Sequence, residues 1–299
     1  MLGLGNSLTG DFTGAGGPPF SLGLSGTNDY GYAAHHSSIK PTSAITVSSW
    51  VNLDAQYGGS GWTYVNPGGS NDHNQYIVGA IASGGYGLNV FYGGTEANPI
   101  VKIRAQVNVS EGGDGQGYLS CIWGGIVTST GSSALHEIKD LSGWVHLAMT
   151  YDGGVLRLYI NGSNDLNTGA VDTSDGQVDD SGVTGKSIVY DANTPVMIGA
   201  DAIGTGSSAH NITINGLIDE TAIWSTALDQ QAITKIYNNG AATLNLTAAS
   251  GDYDNQASLQ GYWRFEEGTG TTVADSSSNS NTVTLVNNPA WSDVALPLG

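Results

Sequence analysis

The chain is predicted to be all-β, an antiparallel sandwich or barrel carrying one short helix. Apolar and polar residues alternate with a period of two in run after run, as a strand buried on one face requires. Gly is abundant, with 45 of 299 residues, and Asn, Ser and Thr fill much of the rest, which supplies turns between many short strands. Only one stretch carries a helical period. With 39% apolar and 11% charged residues the chain can bury a core, and a length of 299 suits one large β domain or two small ones.

Taken in order, residues 1–19 are Gly-rich and close on Pro18-Pro19, an arm or linker expected to order on a partner. Phe20 to Tyr32 alternates like a first strand, with a turn at Gly26-Thr27-Asn28. Ile45 to Leu53 (ITVSSWVNL) is a strong strand with Trp50 opposite Val47 and Val51. At about 54–75 the pattern dissolves into a polar insert bearing Tyr57, Trp62 and Tyr64. Strands resume at Tyr76 to Ile81 and Tyr86 to Tyr92, and Val101 to Val109 pairs with Tyr118 to Thr128. The best hairpin joins Trp144–Tyr151 to Val155–Ile160 through Asp152-Gly153-Gly154, a turn able to take φ > 0. A second insert, at about 163–193, is rich in Asp.

Pro195 to Asp201 then leads into a strand at Gly216 to Trp224, where alternation sets Asp219 and Glu220 on opposite faces. The helix follows. Asp229 is its N-cap, Ile233, Ile236 and Tyr237 form its apolar stripe, and Gly240 is its stop. Ser258 to Phe265 is a last strong strand whose Tyr262, Trp263 and Phe265 must be largely buried, and the remaining tail is too short for a second core.

Charge narrows the partners. Eight basic residues against 26 acidic ones give a net charge of −18, and the basic residues are scattered. Nucleic acid needs a basic footprint for its phosphates, and an acidic membrane surface needs the same, so neither is expected. The acidity serves solubility or divalent cation binding. Cys121 stands alone, so no intrachain disulfide forms, and no apolar run approaches a membrane span. The first residues lack the basic and apolar regions of a secretory signal.

Several of these stretches carry motifs of a known family. GLIDETAIW followed by AL, Ile233, Tyr237 and Gly240 resembles the "G-x-IDE-x-x-I" strand and "AL-x-x-x-I-x-x-x-Y-x-x-G" helix of laminin-G-like (concanavalin-A-like) jelly rolls. WVHLAMTYDGGVLRLYING fills nearly every position of that family's central hairpin. EEGTGTTVADSSSNSN resembles its "D-x-S-x-x-x-N" loop. Two departures stand out: Ser25 replaces a usual Asp, and Ser280 a frequent Gly. The resemblance spans about residues 20–292 and implies a two-sheet antiparallel jelly roll, one domain over 20–299, with the loop and return strand closing the sandwich late in the chain.

The resemblance also implies a calcium ion at the sheet edge, held by Asp219, Asp275 and Asn279 or Asn281 together with carbonyls, since calcium takes six to eight oxygens. Equally, Asp219 hydrogen-bonds neighbouring backbone and Asp275 caps a turn. Glycoside hydrolases on this fold need two carboxyls about 5 Å apart. No Glu-x-Asp-x-Glu spacing supplies them, and His146, in mid-strand, reads as structural. No catalytic residues are expected. Sugar recognition rests on aromatic faces, which names Tyr57, Trp62 and Tyr64, then Trp123.

The sequence thus points to a non-enzymatic binding protein. The lone cysteine, the arm and the missing signal favour a virion protein, a phage decoration, fibre or appendage whose partners are other virion subunits or surface glycans, with room for self-association. A bacterial surface or secreted adhesin is the alternative, and a glycan-cleaving enzyme the third.

Overall fold

The computed structural model describes residues 20–53, 75–81, 84–95, 98–110, 116–126, 143–163, 186–191, 193–202, 207–238, 244–294 and 296. The strands in chain order are β1 (Ser21–Ser25), β2 (Tyr30–Ala33), β3 (Ile45–Leu53), β4 (Gln75–Gly79), β5 (Tyr86–Thr95), β6 (Asn98–Ser110) and β7 (Gln116–Ile126). β8 (Val145–Tyr151), β9 (Leu156–Ile160), β10 (Val196–Ile198), β11 (Ala200–Ala202), β12 (Ala209–Thr213) and β13 (Asn215–Trp224) follow, and then the helix α1 (Gln230–Tyr237). β14 (Leu259–Trp263), β15 (Thr272–Val273), β16 (Val283–Val286) and β17 (Ala290–Ser292) complete the chain.

Two antiparallel sheets face each other. The first runs β17-β1-β13-β3-β8-β9, with β14 also on β13, and the second runs β15-β16-β2-β10-β4-β5-β6-β7. β11 and β12 form a small ribbon of their own. The expected two-layer jelly roll is the observed fold. The closing strands complete both layers at once, since β17 pairs with β1 and β16 with β2.

Alternation accounts for the core. Ile45, Val47, Val51 and Leu53 of β3, with Leu147 and Met149 of β8, meet Leu88, Val90, Ile103, Ala105 and Ile198 of the second sheet in one buried cluster. Of the intervening residues, Trp50, Ala148, Ala222 and Trp224 turn outward and are still buried, because α1 and the segment after it cover them. Ile233 and Ile236 pack on Ala222, Trp224, Ala148 and Tyr159, together with Leu246 and Tyr253 of the following segment. Among the described residues no helix is long and apolar enough to cross a membrane.

Asp229 caps the helix as expected, its Oδ1 accepting from the Ala232 N–H at 2.8 Å. The helix stops earlier than Gly240, which lies outside the described residues: Asn238 takes the left-handed conformation (φ 46°) and closes it. Asn tolerates that region because its short polar side chain satisfies nearby backbone. The expected first strand is two. Its Gly26 turn hands the chain from one sheet to the other, so β1 and β2 are not a hairpin. Pro195–Asp201 likewise breaks at Gly199 (φ 80°), where a Cβ would meet Leu24 at 2.1 Å.

Gly162 ties the central hairpin to the helix. Its carbonyl accepts from the Thr234 hydroxyl and the Gln230 amide, its φ is 77°, and a Cβ there would meet the Tyr237 side chain at 2.9 Å. Gly162→Ala is expected to cost about 2–3 kcal/mol, from left-handed strain plus displacement of Tyr237. Urea denaturation checks this; an unchanged midpoint contradicts it.

Candidate functional site

β13 changes partners halfway along one edge. Asn215 to Ile218 pair with β1, and Thr221 to Trp224 pair with β14. Asp219 and Glu220 fall at the changeover. On the other edge Asp219 stands opposite Trp50 and Ala222 opposite Ser48, so β13 holds one extra residue there. Glu220 sits in the bulge at φ 46°.

This bulge overturns the expectation that the two carboxyls face opposite ways. Asp219 lies opposite Trp50, whose ring stacks on Tyr237 of the helix at 5.7 Å, on the outer side of the sheet. Glu220 accepts a hydrogen bond from the hydroxyl of Tyr262, which belongs to that same outer cluster. Arg264 reaches Glu220 at 3.2 Å and Glu266 at 3.4 Å, while Glu266 also accepts from the Phe20 N–H. Two carboxyls, Glu220 and Glu266, therefore share one guanidinium, close to where β1 begins and β14 ends along β13.

Burial governs their protonation. It holds the Asp219 carboxyl well above the usual carboxylate range, and the neighbouring Glu220 charge adds to the effect. Burial pushes Glu220 up to about 7, against the opposing pull of the Tyr262 hydroxyl and Arg264. Glu266 is raised as well, chiefly by burial. Charges taken out of water must be paired or neutralised. Burial thus favours the neutral form of Asp219 and Glu220 relative to an exposed carboxyl.

Asp275, Asn279 and Asn281 come together apart from Asp219. Asp275 Oδ1 accepts from the Tyr262 and Ser277 N–H groups at 2.9 and 2.8 Å. Its Oδ2 accepts from the Ser277 hydroxyl and the Asn281 N–H, both at 2.8 Å, and from Asn281 Nδ2 at 3.2 Å. The Asn279 and Asn281 side chains both donate to the Gln260 carbonyl, at 3.1 and 2.8 Å. Ser280, in place of the family's frequent Gly, takes φ 59° to let the loop turn. Tyr262 separates the two groups, its N–H on Asp275 and its hydroxyl on Glu220.

A carboxylate has about four lone-pair positions, and Asp275 already meets five donors. The carbonyl of Gln260 and the carboxylate of Asp275 only accept, so the Asn281 amide must present nitrogen there. These residues do not fit a calcium ion. Among the described residues no group of His, Cys, Asp and Glu is arranged to hold a metal.

His146 is fully buried, held neutral by that burial, with Nε2 2.8 Å from the Ser48 hydroxyl. Its Nδ1 has no hydrogen-bond partner among the described residues, and both Ser48 and His146 lie between the sheet and the helix. This is the structural role the sequence suggests. Tyr57, Trp62 and Tyr64 lie outside the described residues. Trp123 is in β7, in register with Ile103, and its side chain is not among those described.

Tyr262, Arg264 and Glu266 had no place in the expected site. Their signal is the run YWRFEE, where Tyr262 and Arg264 alternate with the core residues Trp263 and Phe265.

Fold and motifs define a lectin-like jelly roll. The chain belongs to the concanavalin A-like lectin/glucanases superfamily, whose laminin-G model matches residues 25–234. That match ends within α1, so β14 to β17 lie beyond it. No curated protein matches the chain in sequence. Among solved structures, it resembles a proposed carbohydrate-binding protein from Bacteroides ovatus at 14% identity and a TM-score of 0.50, over 94% of this chain and 62% of that one. The heptameric SAP-like pentraxin of Limulus polyphemus is similar over 74% of this chain and 82% of its own (14% identity, TM-score 0.41). The CBM40 of Ruminococcus gnavus IT-sialidase, bound to α2,3-sialyllactose, is similar over 73% and 95% (12% identity, TM-score 0.42). At such identities the likeness is one of fold.

Proposed function

We propose that the chain is a non-enzymatic binding protein, a lectin-like jelly roll that holds a glycan or a protein partner within a virion, as a decoration, fibre or appendage subunit. The observation that carries the non-enzymatic reading is burial. Asp219 and Glu220, the adjacent carboxyls of the bulge, are 3% and 7% exposed, and Tyr262, whose hydroxyl reaches Glu220, is 0% exposed. A sugar substrate needs its acid and its nucleophile in an open groove. The Ser48–His146 pair is equally closed, at 1% and 0%.

Glycan recognition is supported by membership of a superfamily that includes lectins, and by the carbohydrate binding proposed for the Bacteroides ovatus protein. With a net charge of −18, a neutral sugar suits the surface better than an acidic one. The virion setting rests on Cys121 standing alone, which suits assembly in a reducing cytoplasm, and on the Gly-rich residues 1–19 as a segment for a neighbouring subunit.

Mass spectrometry of purified particles tests the setting, and a glycan array with reducing-sugar release tests the activity. Binding without release, by a particle-borne chain, is the expected result. Binding by a cell-surface chain favours the adhesin, and sugar release favours the enzyme.

A further inference from the structure

We propose that the bulge and loop to which the family resemblance assigns a calcium ion form, in this chain, a metal-independent closure in which Arg264 and protein N–H and O–H groups take the cation's place. The Asp275 half of the implied centre is already satisfied by the protein, and the Arg264 guanidinium sits beside the other half, on Glu220 and Glu266. Asp275 organises its loop through three backbone N–H groups, those of Tyr262, Ser277 and Asn281, and through the Ser277 hydroxyl. Asn279 and Asn281 turn nitrogen, not oxygen, toward the Gln260 carbonyl. A hard cation is held by oxygens, and here the oxygens of Asp275 and the Gln260 carbonyl are already taken by N–H and O–H donors.

Asp219, the remaining implied ligand, lies just before the bulge, next to Glu220, whose carboxyl the Tyr262 hydroxyl reaches. Its Oδ1 accepts from the Glu220 N–H at 2.8 Å. Positive charge there comes from Arg264, which reaches Glu220 and Glu266 while Glu266 accepts from the Phe20 N–H. These contacts sit where β13 passes from β1 to β14, and they join the start of the first strand to the end of β14. The inference is independent of what the protein binds, because its readout is stability.

The test is thermal unfolding of the full chain in EDTA and in calcium chloride, for the wild type, Arg264→Met, Arg264→Lys and Asp275→Asn. The wild-type melting temperature is expected to be the same in both conditions, and isothermal titration with calcium chloride alone to give no binding heat. Arg264→Met is expected to melt roughly 3–8 °C lower, with Arg264→Lys recovering part of the loss. Asp275→Asn is expected to lose the same stability with calcium as with EDTA. A wild-type melting temperature that rises with calcium, an Asp275→Asn loss confined to calcium, or an Arg264→Met protein as stable as the wild type would each overturn the proposal.

Discussion

Asp275→Ala is expected to lower the unfolding free energy by about 4 kcal/mol, the largest loss from any single polar residue of the closing loop. The substitution removes no core volume and yet strips the acceptor from the N–H groups of Tyr262, Ser277 and Asn281. A buried donor left unpaired costs about 1–3 kcal/mol, and loop relaxation toward water recovers part of the sum. Trp263 shares the loss, because its Nε1–H donates to the Asn281 carbonyl from a fully buried position. Urea denaturation followed by tryptophan fluorescence measures the change. A loss below about 1 kcal/mol, the worth of one ordinary hydrogen bond, would show that the loop is not organised by this carboxylate.

Glu220→Gln is expected to flatten the pH dependence of stability by about 3 kcal/mol between pH 4.5 and 7. The folded-state value of Glu220 is raised from 4.5 to about 7, so the native chain holds a proton that the unfolded chain has released. That contribution is fully present below pH 4.5 and is lost as pH rises through 7. A displacement of two to three pKa units corresponds to about 3 kcal/mol. Asp219 is raised in the same direction and adds to the wild-type slope. The glutamine carries no charge to desolvate and can still accept from the Tyr262 hydroxyl. Paired denaturant titrations at pH 5 and pH 8.5 separate this effect from the general repulsion of a chain of net charge −18, which both proteins share. Parallel slopes for the two proteins contradict it.

Much of the architecture is legible in the residues, for reasons that are local. The alternation in ITVSSWVNL marks β3 from Ile45 to Leu53, the bounds the structure shows. The Asp152-Gly153-Gly154 turn marks the central hairpin, and there Asp152 Oδ1 accepts from the N–H groups of Gly154 and Val155. Asp229 announces the helix because a cap acts on the three residues that follow it.

What stays hidden depends on pairing between distant segments. No residue near Gly26 reveals that β1 and β2 enter different sheets; that follows from β13 and β16 arriving almost 200 residues or more later. The bulge at Glu220 is hidden for the same reason, since the extra residue is forced where β13 exchanges β1 for β14. Strict alternation therefore sends its carboxyl to the wrong face. The family motif points to Asp275, Asn279 and Asn281, which the fold brings together, but a motif does not tell an oxygen turned toward a cation from a nitrogen turned toward a carbonyl.

Two facing antiparallel layers, covered on one side by α1, are proposed to retain a partner without altering it. Incubating the purified chain with a panel of neutral and acidic oligosaccharides, then weighing both the complex and the recovered sugar by native mass spectrometry, tests this most directly. The expected result is a bound neutral oligosaccharide recovered at its starting mass. Recovery of shorter products would contradict it.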